Sequence, residues 1–110
     1  MLNSAGFDSL REFILDNWNI HELVDDAGNS ITKLNPSNDR TEWTQSTGNT
    51  LEISTTINGG DADITAPVTI VESRIYQSGR QDPIMNKTLA EPITLDSDGD
   101  SRRIRHQIKL

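Results

Sequence analysis

The chain has 110 residues, 33% of them hydrophobic, no cysteine, and a formal net charge of −7 from 17 acidic and 10 basic residues. Without cysteine there are no disulfides, no thiolate nucleophile and no cysteine zinc site, and no apolar run approaches the roughly 18 residues a membrane-crossing helix needs. An acidic chain has no net attraction for nucleic acid, and one of this length suits a single domain, residues 1–110, with a thin core.

The first segment, MLNSAGFDSLREF, has neither a basic start nor an apolar h-region and does not read as a secretory signal. Within SLREFILDNW, Leu10, Phe13, Ile14 and Trp18 fall at i, i+3, i+4 and i+8, an apolar stripe of helical period. Ser9 and Glu12 have capping-box spacing, so the pattern predicts a helix over about 9–18, with Asn17 and Asn19 weakening its end. A helix this short must dock, either on its own domain or as an arm on a neighbour.

From about residue 20 to 110 the pattern is β. DDAG at 25–28 separates IHELV from SITKL as a turn. Residues 35–50 are polar and turn-rich around Trp43 and read as a long surface loop, broken at most by a short strand. LEISTTIN alternates, with Leu51, Ile53, Thr55 and Ile57 on one face and Glu52, Ser54 and Thr56 on the other. After the NGGD turn, VTIVESRIY reads as a central strand. Pro83 and Pro92 make PIMNKTLAEPITL an edge strand or two short strands. RRIRHQIKL alternates to the end, with Ile104, His106, Ile108 and Leu110 on one face and Arg103, Arg105, Gln107 and Lys109 on the other. The expected fold is mainly β, an antiparallel sandwich or small barrel with one N-terminal helix.

Little in the chain announces chemistry. Asp96, Asp98 and Asp100 have the spacing that opens an EF-hand, but Gly99 is misplaced and Gln107 stands where the closing carboxylate belongs. DSDGDS therefore reads as a hairpin turn, and no metal or cofactor is expected. The two histidines, His21 and His106, lack zinc spacing, and His106 reads as a partly buried strand residue. No nucleophile elbow or phosphate-binding glycine loop occurs, so no catalytic residue is assigned and an enzyme is not expected. Asn86-Lys87-Thr88 is a glycosylation sequon, meaningful only after export.

The charge is distributed unevenly. Residues 1–100 carry 6 basic and 17 acidic residues, net −11, whereas residues 101–110 carry 4 basic and none acidic, net +4. The final strand thus presents a cationic stripe, Arg103, Arg105 and Lys109, which is either a solvated face balancing the protein's own acids or a contact strip for an acidic neighbour. Asp outnumbers Glu by 11 to 6, and Arg outnumbers Lys by 7 to 3, a bias that fits a high-salt cytoplasm as well as an ordinary acidic mesophile.

The layout VTIVESRIYQSGRQDP, then LAEPITL, then DGDSRRIRHQIKL, roughly residues 64–110, resembles that of small β-rich virion structural proteins of tailed viruses. FDSLREFILDNWN is similar to the leading helix of some head–tail connector and tail-completion proteins. The basic tail and the polar 35–50 loop depart from that pattern. With the charge bias, the resemblance implies a non-enzymatic component of a tailed virus of halophilic archaea. It would be assembled in the host cytoplasm, in a capsid decoration, vertex, neck or tail position, and would bind other virion proteins and copies of itself. The alternative is a small glycan- or ligand-binding β-sandwich; of the aromatics Trp18, Trp43 and Tyr76, Trp18 reads as core and Trp43 in its polar loop is the one candidate contact. A small host regulatory or chaperone-like β protein is a third reading.

Overall fold

The computed structural model describes residues 3–45 and 50–110. Helix α1, Ser4–Asn17, precedes seven strands: β1 Ile20–Asp25, β2 Ser30–Leu34, β3 Thr41–Gln45, β4 Thr50–Asn58, β5 Val68–Tyr76, β6 Met85–Leu95 and β7 Ser101–Lys109. They form two sheets, one ordered β2-β1-β5-β6 and the other β3-β4-β7, with every pairing antiparallel. The architecture is a β-sandwich with one N-terminal helix.

The helix starts five residues before Ser9. Asn3 stands at its N-cap without a side-chain cap bond, and the first backbone bond runs from Phe7 N–H to Asn3 carbonyl. Ser9 lies in the helix interior, so its spacing to Glu12 does not mark a start. The C-terminal end is as read: Asn17 and Asn19 side-chain amides donate to the carbonyls of Phe13 and Asp16 in the last turn. Only one line of the apolar stripe docks. Ile14 is fully buried and Leu10, Leu15 and Trp18 pack beside it, whereas Phe13 is 47% exposed. One residue along a helix turns about 100°, so Ile14 and Phe13 cannot both face a flat sheet edge squarely.

The β1–β2 turn is set by Asp25, whose carboxylate accepts from the N–H groups of Ala27 and Asn29, and by Gly28 at φ +83°. Residues 35–45 are more ordered than a plain loop. Asn35 and Asn38 carboxamides cap the N–H groups of Ser37 and Arg40, and the T-E-W-T alternation then pairs along β4 from Thr41↔Thr55 to Gln45↔Leu51. Residues 46–49, the rest of that expected loop, lie outside the described residues.

Strand β5 is central, and β6 is one edge strand rather than two. Its register with β5 slips between Ile70↔Ile93 and Glu72↔Thr88, so residues 89–92 oppose Val71 alone and Pro92 sits in the resulting bulge. DSDGDS is not a hairpin turn: β7 pairs with β4, so these residues carry the chain from one sheet to the other. Asp100 carboxylate accepts from the N–H groups of Asp96 and Ser97 and shapes that crossing. The crossing abuts the NGGD turn. Gly59 N–H donates to Asp100 carbonyl at 2.8 Å, and a Cβ on Gly59 would stand 2.0 Å from Ser97 carbonyl oxygen. The same end is tied by Arg40, whose guanidinium binds Asp63 through both nitrogens and Asp61 through one, each at 2.9 Å.

The core is divided. Leu23, Ile57, Ile64, Ile70, Leu95 and Ile104 form one apolar cluster. Ile14, Leu51, Ile53, Ile75 and Ile108 form another under the helix. Between them, reading along the inner faces, come Thr55 on β4, Ser73 on β5, His106 on β7 and His21 on β1, all buried.

Candidate functional site

The alternation of RRIRHQIKL places Ile104, His106 and Ile108 inward and leaves Arg103, Arg105, Gln107 and Lys109 on the outer face of the β3-β4-β7 sheet. That face is not uniformly cationic. Arg103 binds Glu42 on β3 at 2.8 Å and Ser54 on β4 at 3.0 Å. Arg105 lies 3.9 Å from Glu52, which also accepts from Gln107 at 3.3 Å. Among the described residues Lys109 has no ion-pair partner. Pairing Arg103 with Glu42 and Arg105 with Glu52 leaves this face close to balanced, with its surplus positive charge at the Lys109 end.

Trp43 is not part of the stripe. It is paired with Ile53, so it points into the sandwich, where it packs against the cluster under the helix with its indole Nε1 buried and without a hydrogen-bond partner among the described residues. Trp18 packs on the same cluster. Tyr76 lies on the outer face of the other sheet, buried beneath Lys33, whose Nζ stands 3.8 Å from the ring centroid. Its hydroxyl donates to Glu22 at 2.7 Å, and burial raises its pKa. Arg74 completes this patch 3.6 Å from Glu22. The three aromatics that could have formed a ligand platform are thus dispersed, each turned toward its own protein.

Sequence reasoning missed the most organised polar feature, the layer between the two apolar clusters. Thr41 and Thr55 hydroxyls are 2.8 Å apart. Thr55 Oγ1 lies 2.8 Å from His21 Nδ1, and His21 Nε2 lies 2.6 Å from Ser73 Oγ. Ser73 Oγ lies 2.9 Å from His106 Nδ1. The chain of contacts links β3, β4, β1, β5 and β7, crossing twice between the sheets. Burial is the larger reason that His21 is lowered to about 3, with the second ring next; for His106, lowered to about 4, burial again leads, followed by the positive charge of Lys87. Both rings are therefore neutral at neutral pH. The alternation had placed Thr55 and His106 inward, but nothing local to either says that His21 and Ser73 meet them from the opposite sheet.

A serine between two histidines is an arrangement of nucleophilic chemistry, but here His21 and Ser73 are fully buried. Among the described residues no three His, Cys, Asp or Glu side chains converge as a metal site, and no helix is long and apolar enough to cross a membrane. An open groove of about 290 Å³ on α1, lined by Asp8, Arg11, Glu12 and Leu15, is shallow and polar. No protein-family model, no curated protein and no solved structure matches the chain.

Proposed function

We propose that the protein is a non-enzymatic structural component of a tailed-virus particle, working through contacts with copies of itself and with other virion proteins. The observation that supports this reading best is that the two longest of the four outer strands lie on one side of the sandwich. β6, eleven residues long, and β7, nine residues long, are outer strands of their sheets and come together there. Unpaired edges are natural joints between subunits. Here they are guarded against indiscriminate pairing by the bulge at Pro92 and the cations of β7, which favours a specific, acidic partner. The burial of both histidines and the dispersal of the aromatics weigh against catalysis and against the glycan-binding alternative. The Asp-rich, Lys-poor composition and the late-chain layout support assembly in the cytoplasm of a halophilic archaeal host and a decoration, vertex, neck or tail position. The test is mass spectrometry of purified particles together with light scattering of the isolated protein in molar potassium chloride. A particle-associated oligomer is expected; a monomer that is absent from particles overturns the reading.

A further inference from the structure

The layer Thr41–Thr55–His21–Ser73–His106 holds two sheets together through a strict count of protons. With both rings neutral the hydrogen bonds run in one direction. In one sense, Thr41 donates to Thr55, Thr55 to His21 Nδ1, His21 Nε2–H to Ser73, and Ser73 to His106 Nδ1; the opposite sense works equally. One added proton is tolerated. Were His106 charged, its Nδ1–H would donate to Ser73, Ser73 would donate to His21 Nε2, and His21 Nδ1–H would donate to Thr55. Two added protons are not. His21 Nε2–H and His106 Nδ1–H would then both point at Ser73 Oγ, whose own hydroxyl proton loses its acceptor, and two cationic rings would lie with centroids 6.4 Å apart.

Among the described residues nothing around the layer compensates that charge. β3, β4 and β5 contribute the hydroxyls of Thr41, Thr55 and Ser73, and β2 places Leu34 opposite His21. β6 places Lys87 opposite Ser73, a cation. Helix α1 brings only apolar side chains, Ile14 with Leu10 and Leu15, to the neighbouring cluster. The carboxylates nearest in sequence, Glu22, Glu52 and Glu72, alternate to the outer faces, where they bind Tyr76, Gln107 and Arg74.

We propose that this layer is an acid-release clasp: a single proton is housed, and the second parts the β3-β4-β7 sheet from the β2-β1-β5-β6 sheet. The inference stands apart from any role in a particle, because it rests on the interior alone.

His21 and His106 are the only histidines in the chain, so proton uptake on unfolding between pH 6.5 and 5.0 reports on this layer and little else. Urea unfolding of the intact protein across that range is the test. Between pH 6.5 and 5.0 the folded layer keeps its uncharged form, the single housed proton entering only below that range. The unfolded chain there binds both protons and the folded one neither, so the unfolding equilibrium constant is expected to rise about 200-fold from pH 6.5 to 5.0, with close to two protons taken up near pH 5.5. In His106→Asn, whose amide keeps a polar group at the Nδ1 position, the rise falls to about 15-fold. Should that variant fail to fold, the ring C–H resonances of the native protein decide: they hold still between pH 6.5 and 5.0 if the clasp exists. An uptake below one proton, or rings titrating with midpoints near 6.5 in the folded protein, overturns the proposal.

Discussion

Arg103 on β7 reaches across the whole width of its sheet to Glu42 on β3, passing over β4, where Ser54 Oγ takes a second hydrogen bond from the same nitrogen. The stripe that stands out in the sequence as unbalanced positive charge is in good part a lattice of internal pairs. Both ends of the Arg103 pair are solvent-facing, so each contributes on the order of 0.5 kcal/mol, far below what burial of the inner face supplies.

Reversing charge at Arg103 and Arg105 therefore spares folding. The expected loss in monomer stability is about 1 kcal/mol, read as a small shift in urea midpoint. The same double variant weakens self-association or binding to particles in light scattering if β7 is a joint, with Lys109→Glu adding to the effect. Unchanged association removes β7 from the contact.

Thr55 sits at the middle of the buried polar layer, so a change that keeps its shape and removes its oxygen isolates its effect. Thr55→Val strands His21 Nδ1 and Thr41 Oγ1, and is expected to cost about 2 kcal/mol in chemical denaturation. Thr55→Ser keeps the hydroxyl and costs less. A loss in Thr55→Ser with none in Thr55→Val would mean that the methyl, not the hydrogen bond, matters.

Ile14 is the one fully buried residue of α1. Truncation to alanine is expected to cost about 3 kcal/mol locally. The helix then exchanges amide hydrogens faster by orders of magnitude, while β4 and β5 stay protected. Uniform acceleration across helix and strands would show that the helix and sandwich unfold as one unit.

Arg40 binds Asp61 and Asp63, and Thr32 donates to Asp63 at 2.9 Å, so the loop before β3 is fixed to the segment after β4 and to β2. Arg40→Met is expected to destabilise by about 1 kcal/mol. The Arg40 guanidinium holds Asp63 below the usual carboxylate range. A depressed carboxylate contributes stability that is complete above its unfolded pKa and is lost as pH falls through about 4 and below. Asp63→Asn removes that acid-side loss below pH 4 and leaves the histidine-dependent slope between pH 6.5 and 5.0 intact, which separates the two acid responses in one titration.

Self-repulsion among 17 acidic residues weakens the compact state at low ionic strength. Thermal midpoint is expected to climb between low and molar potassium chloride. A flat profile would place the chain among ordinary acidic mesophilic proteins.

How much of this was legible in the sequence depends on the range of the interaction. Period-two alternation in LEISTTIN and RRIRHQIKL decides which side chains go inward, and the inner faces of β4 and β7 follow it residue by residue. Turn chemistry at Asp25 and Gly28 is equally local. The helix start was misjudged because a capping-box spacing is two residues of information, and the backbone began its ladder earlier at Asn3. Strand β3 is legible only as a short break in a loop, because five residues with two threonines and one glutamate look like a loop until β4 pairs with them. Sheet order was illegible for the same reason: nothing in DSDGDS says whether the chain turns back along β6 or crosses to β4. The histidine layer is the extreme case, since His21 and His106 are 85 positions apart and are hydrogen-bonded to each other through Ser73.

The contact between Gly59 and Ser97 sets how freely this chain can vary. Position 28 needs a positive φ but has open space around it, so asparagine or aspartate can take the place of glycine there at modest cost. At position 59 the obstacle is another stretch of backbone, which cannot rotate aside as a side chain can. A saturation library would return a short alphabet at 28 and a single letter at 59, and it would do so under any selection that asks only for the folded protein.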